Sequence, residues 1–457
     1  MDKKSIVLNY YNFIFVGKLQ LMRLVAFVFV LIISTHCIFA QGLNRYQRTT
    51  FNVFFGTSGA NLQGLDDFLE DRGEEPLPNN YRTYGLAYQS RFNDFIVGAE
   101  LYQNNGANGM YGDYTLDYRT TRLFLNVGYS FTEEGKFHLI HYMSMGVGYL
   151  NFQMLKEVND YTLDDFLDNP ANGFILRKND ITQGSNKLGG FLTEIGFEVG
   201  YDLNILPSEE EISLIAKVGY SFNPFEESWK INGFTFDNLQ SGAFIRIGAG
   251  ITLPEENYFY RDASLGIHFI YGQHFSKPNA LNQHLRDNGY KELSGVPQNL
   301  GLKILGENRG FLYGLDVYNV TMHGNANENY LQSLNSVRVY GNMGQKIIDL
   351  NDWEVGLLGG LGYANLRYSL MHKRKVPFPE LIDIPDYDGE LRKGGMMAKP
   401  EVYLAYALSL SKKDKVDLVL SLNGGYELPI GKYKLGDVSM SQYMSSPYLQ
   451  LGVGVRP

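Results

Sequence analysis

The sequence predicts an all-β fold, a transmembrane antiparallel β-barrel of about sixteen strands, built by internal duplication as eight strands plus eight. Three observations predict it. Most of the chain falls into segments of ten to fifteen residues in which apolar and polar side chains alternate, the period-two signature of a strand with one apolar face. Short and long connections alternate between these segments along the chain. The first half also matches the second at an offset of 216 residues.

An export leader comes first. Met22–Ala40, MRLVAFVFVLIISTHCIFA, has a short basic start, an apolar core and small or neutral residues before Gln41. That is the anatomy of a secretory signal peptide cleaved after Ala40, so residues 1–40 are assigned to the leader, with Met1 or Met22 as its start, and 41–457 to the barrel; an uncleaved anchor helix is the alternative. Cys37, the single cysteine, falls inside the leader, so the mature chain does not rely on disulfides. The whole chain has 40 Lys and Arg against 49 Asp and Glu. Removing Lys3, Lys4, Lys18, Arg23 and Asp2 leaves 36 against 48, a net charge of −12. That sign argues against nucleic acid as a partner. Beyond the leader no apolar run approaches the 18 or so residues of a membrane helix.

The strands follow. In RLFLNVGYSF, Leu123, Leu125, Val127, Tyr129 and Phe131 share one face. In TEIGFEVGYDL, Ile195, Phe197, Val199, Tyr201 and Leu203 face one way, and Glu194, Glu198 and Asp202 the other. Three carboxylates on one strand cannot enter a dry apolar core unpaired. One face therefore meets an apolar medium and the other meets water or counter-charges. A soluble β-sandwich is the alternative, but its strands are usually about 5–6 residues long, whereas membrane strands need roughly 9–11. Tyr129, Tyr149, Tyr201, Tyr220, Tyr363 and Tyr426 stand near the ends of apolar faces, as in the aromatic girdles of membrane barrels.

The connections give the count. Seven are short, at 92–94, 132–136, 206–210, 254–260, 306–310, 348–352 and 411–415. Eight are long, at 58–81, 105–118, 154–187, 224–239, 274–298, 323–332, 371–396 and 429–444. Their alternation requires sixteen antiparallel strands, with short turns on one side of the membrane and long loops on the other, the bacterial outer-membrane arrangement.

The duplication relates residues 48–253 to 263–456. FIVGAELY (95–102) meets FLYGLDVY (311–318), so Glu100 falls on Asp316; Arg122, Asn126 and Gly128 fall on Arg338, Asn342 and Gly344. SGAFIRIGAGI (241–251) meets SSPYLQLGVGV (445–455) at an offset of 204. Two outcomes are open, one barrel of sixteen strands or two of eight in tandem. Small side chains on the inferred inner faces, such as Gly146, Gly148, Ala405, Ala407, Ser409 and Gly425, favour the single wide barrel, because eight strands enclose only enough space for side chains to fill. In that reading the final strand closes the cylinder against TTFNVFF near Thr49.

The inward faces supply the candidate site. Arg91, Glu100 and Arg122 come from the first strands, Glu194, Glu198, Asp202, Lys217 and Arg246 from the end of the first repeat. The second repeat adds Lys303, Asp316, Arg338, Glu354 and Glu401. They read as a pore wall of mixed charge that orients solutes, or as charges that pair across neighbouring strands. His138 and His141 are three apart on a strand and so face opposite ways; His138 reads as a lumen residue.

The third long loop, 154–187, contains NDYTLDDFLDNP between strands five and six. Here the chain resembles the general bacterial porins, which have sixteen strands and fold the third loop inward as a constriction. The resemblance implies that Asp160, Asp164, Asp165 and Asp168 narrow and charge the pore. The first and fifth loops each hold a short amphipathic helix, on Leu65, Phe68 and Leu69 and on Leu281, His284 and Leu285, with Gly73 and Gly289 suited to the helix ends. In the seventh loop Asp383, Asp386, Asp388 and Glu390 are candidate calcium ligands, although EF-hand spacing is not met.

No G-x-S-x-G, P-loop or cysteine-based metal site is present. The chain is therefore read as a non-enzyme without a cofactor, the exception being an outer-membrane hydrolase with a loop-face site. The expected function is passive diffusion of small polar solutes through a loop-constricted aqueous pore in the bacterial outer membrane. The alternative is a largely closed barrel that binds surface or envelope proteins through its long loops. Membrane lipid is a partner in both.

Overall fold

The computed structural model describes residues 47–456 with short internal gaps, the longest at 176–187. The leader, Asp160 and residues 255–262 lie outside the described residues. The barrels below belong to one compact unit, 46–408 with 417–457.

Among the described residues there are sixteen long strands, and they close as two barrels of eight. The first barrel is an up-and-down ring of β1 (Gln47–Gly59), β2 (Asn80–Phe92), β3 (Phe95–Asn105), β4 (Tyr114–Ser130), β5 (Phe137–Lys156), β6 (Leu188–Leu203), β7 (Glu211–Phe222) and β8 (Gly242–Pro254). It closes where β8 pairs with β1, Ala249 opposite Val53. The second ring is β9 (Ala263–His274), β10 (Gln298–Asn308), β11 (Phe311–Asn325), β12 (Tyr330–Leu350), β13 (Trp353–His372), β14 (Gly389–Ser409), β15 (Asp417–Ile430) and β16 (Ser446–Arg456). It closes through β16 on β9, Val453 opposite Phe269.

The single wide barrel over 41–457 is therefore corrected, and with it the closure of the last strand against the first. Closure by eights leaves no unpaired edge in either half, so each ring meets the backbone demand of a membrane on its own. The small inner residues misled. Gly85 is not empty space: a Cβ there would lie 2.1 Å from Cδ1 of Tyr102. At Gly425 a Cβ would meet the Tyr448 hydroxyl at 2.6 Å. These glycines make room for tyrosine rings from neighbouring strands, and such rings fill a narrow barrel.

The outer faces agree with the alternation. Leu123, Leu125, Val127, Tyr129 and Phe131 are exposed, as are Ile195, Phe197, Val199 and Tyr201 and, on the last strand, Leu449, Leu451 and Val453. All six girdle tyrosines point outward. A continuous apolar belt of this kind is the outer face of a transmembrane barrel.

The loops carry the helices. α1 (Gln63–Glu70) follows β1, α2 (Leu163–Asp168) follows β5, α3 (Asn279–Asp287) follows β9 and α4 (Phe378–Asp383) follows β13. α1 and α3 are the two amphipathic helices of the first and fifth loops. Both are followed by a glycine at positive φ, Gly73 at 78° and Gly289 at 76°, as the left-handed end of a helix requires.

Candidate functional site: filled lumens and capped mouths

All thirteen charged residues assigned to the inner faces are buried inside the barrels. In the first barrel Arg122, Lys217 and Arg246 oppose Glu100, Glu194 and Glu198. Arg246 grips Glu194 with both guanidinium nitrogens, at 2.7 and 2.8 Å. Arg122 donates to Ser221 at 2.9 Å, and Ser221 donates to Glu194 at 2.6 Å. Lys217 pairs with Glu100 and, at 2.9 Å, with Glu198. The Tyr102 hydroxyl donates to Glu100 at 2.6 Å, and the Arg246 guanidinium lies 3.8 Å from the centre of the Tyr102 ring. Cations and anions are equal in number, and Arg122, Glu194, Lys217 and Arg246 have no exposed surface.

The second barrel repeats the plan with different residues. Lys303, Arg338 and Lys399 oppose Asp316, Glu401 and Glu427. Both lysines reach Asp316 and Glu401, the Tyr448 hydroxyl donates to Glu401 at 2.7 Å, and the Tyr340 hydroxyl donates to Glu427 at 2.7 Å. Arg338 pairs with Glu427. Glu354 lies nearer the turns, held by Arg456 at 2.6 and 2.8 Å. The repeat thus places Arg122 with Arg338, and Glu100 with Asp316, in the centres of separate barrels.

Sequence reasoning missed Lys399, Glu427 and His274. Lys399 shares strand parity with Glu401 and could have been found by it; Glu427 and His274 stand at strand ends beside long loops. At the turn end of the first barrel, His138 sits between Arg48, Arg91 and Asp202. Beside them is a cavity of about 30 Å³, room for about two waters. His141 faces outward against Phe197, with ring centres 5.0 Å apart. Asn52 and Asn126 in the first lumen, and Asn342, Asn423 and Gln450 in the second, are buried amides without a protein partner. Bound water usually satisfies such groups.

Of the third loop, residues 162–175 are described: Phe174 packs on Phe152 of its own barrel, whereas α2 reaches the other one. α2 turns Leu163, Phe166 and Leu167 into an apolar cluster with Leu281 and Leu285 of α3 and with Tyr318, Tyr340 and Tyr368 of the second barrel. Asp164 accepts hydrogen bonds from His284 at 2.8 Å and Asn288 at 2.9 Å; the His284 contact holds its carboxyl below the usual range. Asp165 caps its own helix through Thr162, which likewise lowers its pKa. Asp168 is exposed. Reciprocally, Leu381 and Ile382 of α4 join Leu65 and Leu69 of α1 over Tyr81, Tyr118 and Phe152 of the first barrel. Arg72 donates to Asp383 at 2.7 Å. Arg72 and Asn288 are 216 apart, so the two clasps are repeat-related. Each barrel mouth is covered by its own first-loop helix and by a helix from the other half.

The candidate calcium ligands are dispersed to separate partners. Asp383 takes Arg72; Asp386 takes the Tyr114 hydroxyl at 2.6 Å and Lys156 at 2.9 Å; Asp388 accepts backbone N–H groups; Glu390 accepts from Ser369 at 3.1 Å. Among the described residues, no three His, Cys, Asp or Glu side chains converge as metal ligands. Ser446, His274 and Glu427 come together, but the serine and the carboxylate both approach Nδ1, at 3.3 and 3.1 Å. A nucleophilic triad needs them on opposite ring nitrogens, and these three side chains are wholly buried.

No protein-family model matches the sequence, and no curated protein matches it. Among solved structures the chain is similar to Ail, the attachment invasion locus protein of Yersinia pestis, at 12% identity and a TM-score of 0.25, over 46% of this chain and 99% of that one. It is similar to the toluene transporter TodX of Pseudomonas putida at 12% identity and a TM-score of 0.22, over 91% and 90%. A FadL homologue of Pseudomonas aeruginosa gives 9% identity and a TM-score of 0.22, over 92% and 90%. Similarities this low carry no weight for function. Closed, even-stranded rings, an apolar belt with tyrosine girdles, short turns at one end and long loops at the other define the class. This is the architecture of the β-barrel proteins of the bacterial outer membrane.

Proposed function

We propose that the protein is a closed twin barrel that works through its loop face, as a binding or assembly partner in the cell envelope. One observation carries this reading: in both barrels a charge-balanced layer of paired side chains fills the lumen. Arg246 and Glu194 in one, and Lys399 and Asp316 in the other, have no solvent-exposed side-chain surface. An eight-stranded ring is wide enough for side chains to fill, and here large ones fill it. The thirteen inward charges then serve as the packed interior of two posts that hold the loops at the membrane surface. A diffusion pore for small polar solutes would need these layers to part.

Conductance of the folded protein in planar bilayers tests the proposal. The expected record is flat, without steps of porin size. Stepwise porin-sized currents would overturn it in favour of solute diffusion. For a loop-face hydrolase, the described serine that hydrogen-bonds a histidine, Ser446, is buried and shares Nδ1 of His274 with Glu427.

A further inference from the structure

The two exchanged lids meet at one place. The loop bearing α2 continues into a short strand, Gly173–Ile175, that pairs with β5 of the first barrel, Phe174 opposite Met154. Its other edge bridges to Asp388, at the start of β14 in the second barrel. The Asn172 N–H donates to the Asp388 carbonyl at 3.0 Å, and the Tyr387 N–H donates to the Gly173 carbonyl at 2.9 Å. The Asn172 side chain reads the backbone of Glu390 both ways, donating to its carbonyl at 3.2 Å and accepting its N–H at 3.1 Å. The buried Asp388 carboxylate accepts the Ile175 N–H at 3.2 Å from one half and the His372 N–H at 2.8 Å from the other.

Gly173 makes the close approach to β5 possible. Its φ is 153°, and a Cβ there would lie 1.9 Å from the Met154 carbonyl oxygen. α2 lies upstream of this bridge by four residues of chain, 169–172, and α4 lies upstream of Asp388 by four, 384–387. Each helix covers the mouth of the opposite barrel, yet both are tethered to the same few hydrogen bonds.

We propose that the Gly173–Asp388 bridge is a shared latch, so that the two barrel mouths loosen together and not independently. A partner that lifts one lid then changes the other mouth through an element common to both, which is the physical content of coupling between sites. The coupling stands whether or not the loop face proves to be a binding surface.

The test uses the full chain in a Cys37→Ser background, with a reporter cysteine at Leu69→Cys for the first mouth or Leu285→Cys for the second. Both positions are buried, so maleimide labelling reports opening. Asp388→Ala is expected to raise both labelling rates, by on the order of tenfold, from the loss of hydrogen bonds to a charged acceptor. Asn172→Ala should do the same more weakly, and serves if Asp388→Ala does not fold. Arg72→Ala, which opens only the first-mouth clasp, should raise labelling at Leu285→Cys as well as at Leu69→Cys, because the intact bridge carries the loosening across. A rise confined to one reporter in both latch variants overturns the proposal, as does no rise at either. A rise at Leu69→Cys alone with Arg72→Ala overturns it too, since the mouths would then loosen independently.

Discussion

The substitution Glu194→Gln separates a packed lumen from a wet one. Glu194 accepts two hydrogen bonds from Arg246 and one from Ser221, and Arg122 stands 3.4 Å away. The change keeps the side-chain volume and leaves two buried guanidinium groups sharing a neutral amide. Breaking a buried ion pair by removing one partner costs about 3–5 kcal/mol, whereas a solvent-exposed pair is worth roughly 0.2–1 kcal/mol. At about 1.4 kcal/mol per factor of ten, the packed lumen predicts a fall in the folding constant of roughly two to three and a half powers of ten. Equilibrium urea unfolding in lipid vesicles, followed by circular dichroism, reads the difference. The triple change Glu194→Leu, Arg122→Met and Arg246→Met should recover most of the loss, because apolar replacement of a complete buried network is often neutral or stabilising. A cost below about 1 kcal/mol for Glu194→Gln would place these charges in bulk water and refute the filled barrel.

Two further expectations concern the rings and the clasps. Gly85→Ala puts a methyl against the Tyr102 ring and should cost about 1–3 kcal/mol by overpacking in the same unfolding assay; Tyr102→Ala in combination should make the alanine nearly silent. Asp164 has its carboxyl pKa lowered by His284, so its contribution is present above the unfolded value, about 3.9, and is lost as pH falls through the folded value. Maleimide labelling at Leu285→Cys should therefore rise on acidification from pH 5 to pH 3, and Asp164→Asn should remove that pH response.

The inward and outward parity of each strand was legible because lipid and interior select opposite side chains at every second position. That single rule placed Glu100, Arg122, Glu194 and Asp316 inside and Leu125, Phe197 and Leu451 outside, and the alternation of short and long connections supplied the count of sixteen strands. Closure was not legible. Whether β1 meets β8 or β16 depends on pairing about two hundred or about four hundred residues apart, and both rings satisfy the same local pattern. The inner glycines illustrate the difficulty: Gly85 reads as space until Tyr102, on the neighbouring strand, is known to lie over it. The loop acids were misplaced for a related reason. Asp164 sits on a short helix, Leu163–Asp168, that the sequence reading did not assign, and its partners His284 and Asn288 belong to the other half, which no local periodicity reports. The repeat itself held a usable hint, since the clasp residues Arg72 and Asn288 stand at its offset.

Strand closure is open to direct measurement by disulfide cross-linking across neighbouring strands. Val53→Cys with Ala249→Cys joins β1 to β8, and Phe269→Cys with Val453→Cys joins β9 to β16; directly opposed residues on antiparallel strands lie within disulfide reach. In the folded, membrane-inserted protein with Cys37→Ser, both pairs should link on mild oxidation, while Leu451→Cys should fail to link with Phe51→Cys, Val53→Cys or Phe55→Cys. Efficient linking of β1 to β16, with no link from β1 to β8, would mean one sixteen-stranded cylinder and would contradict the twin barrel.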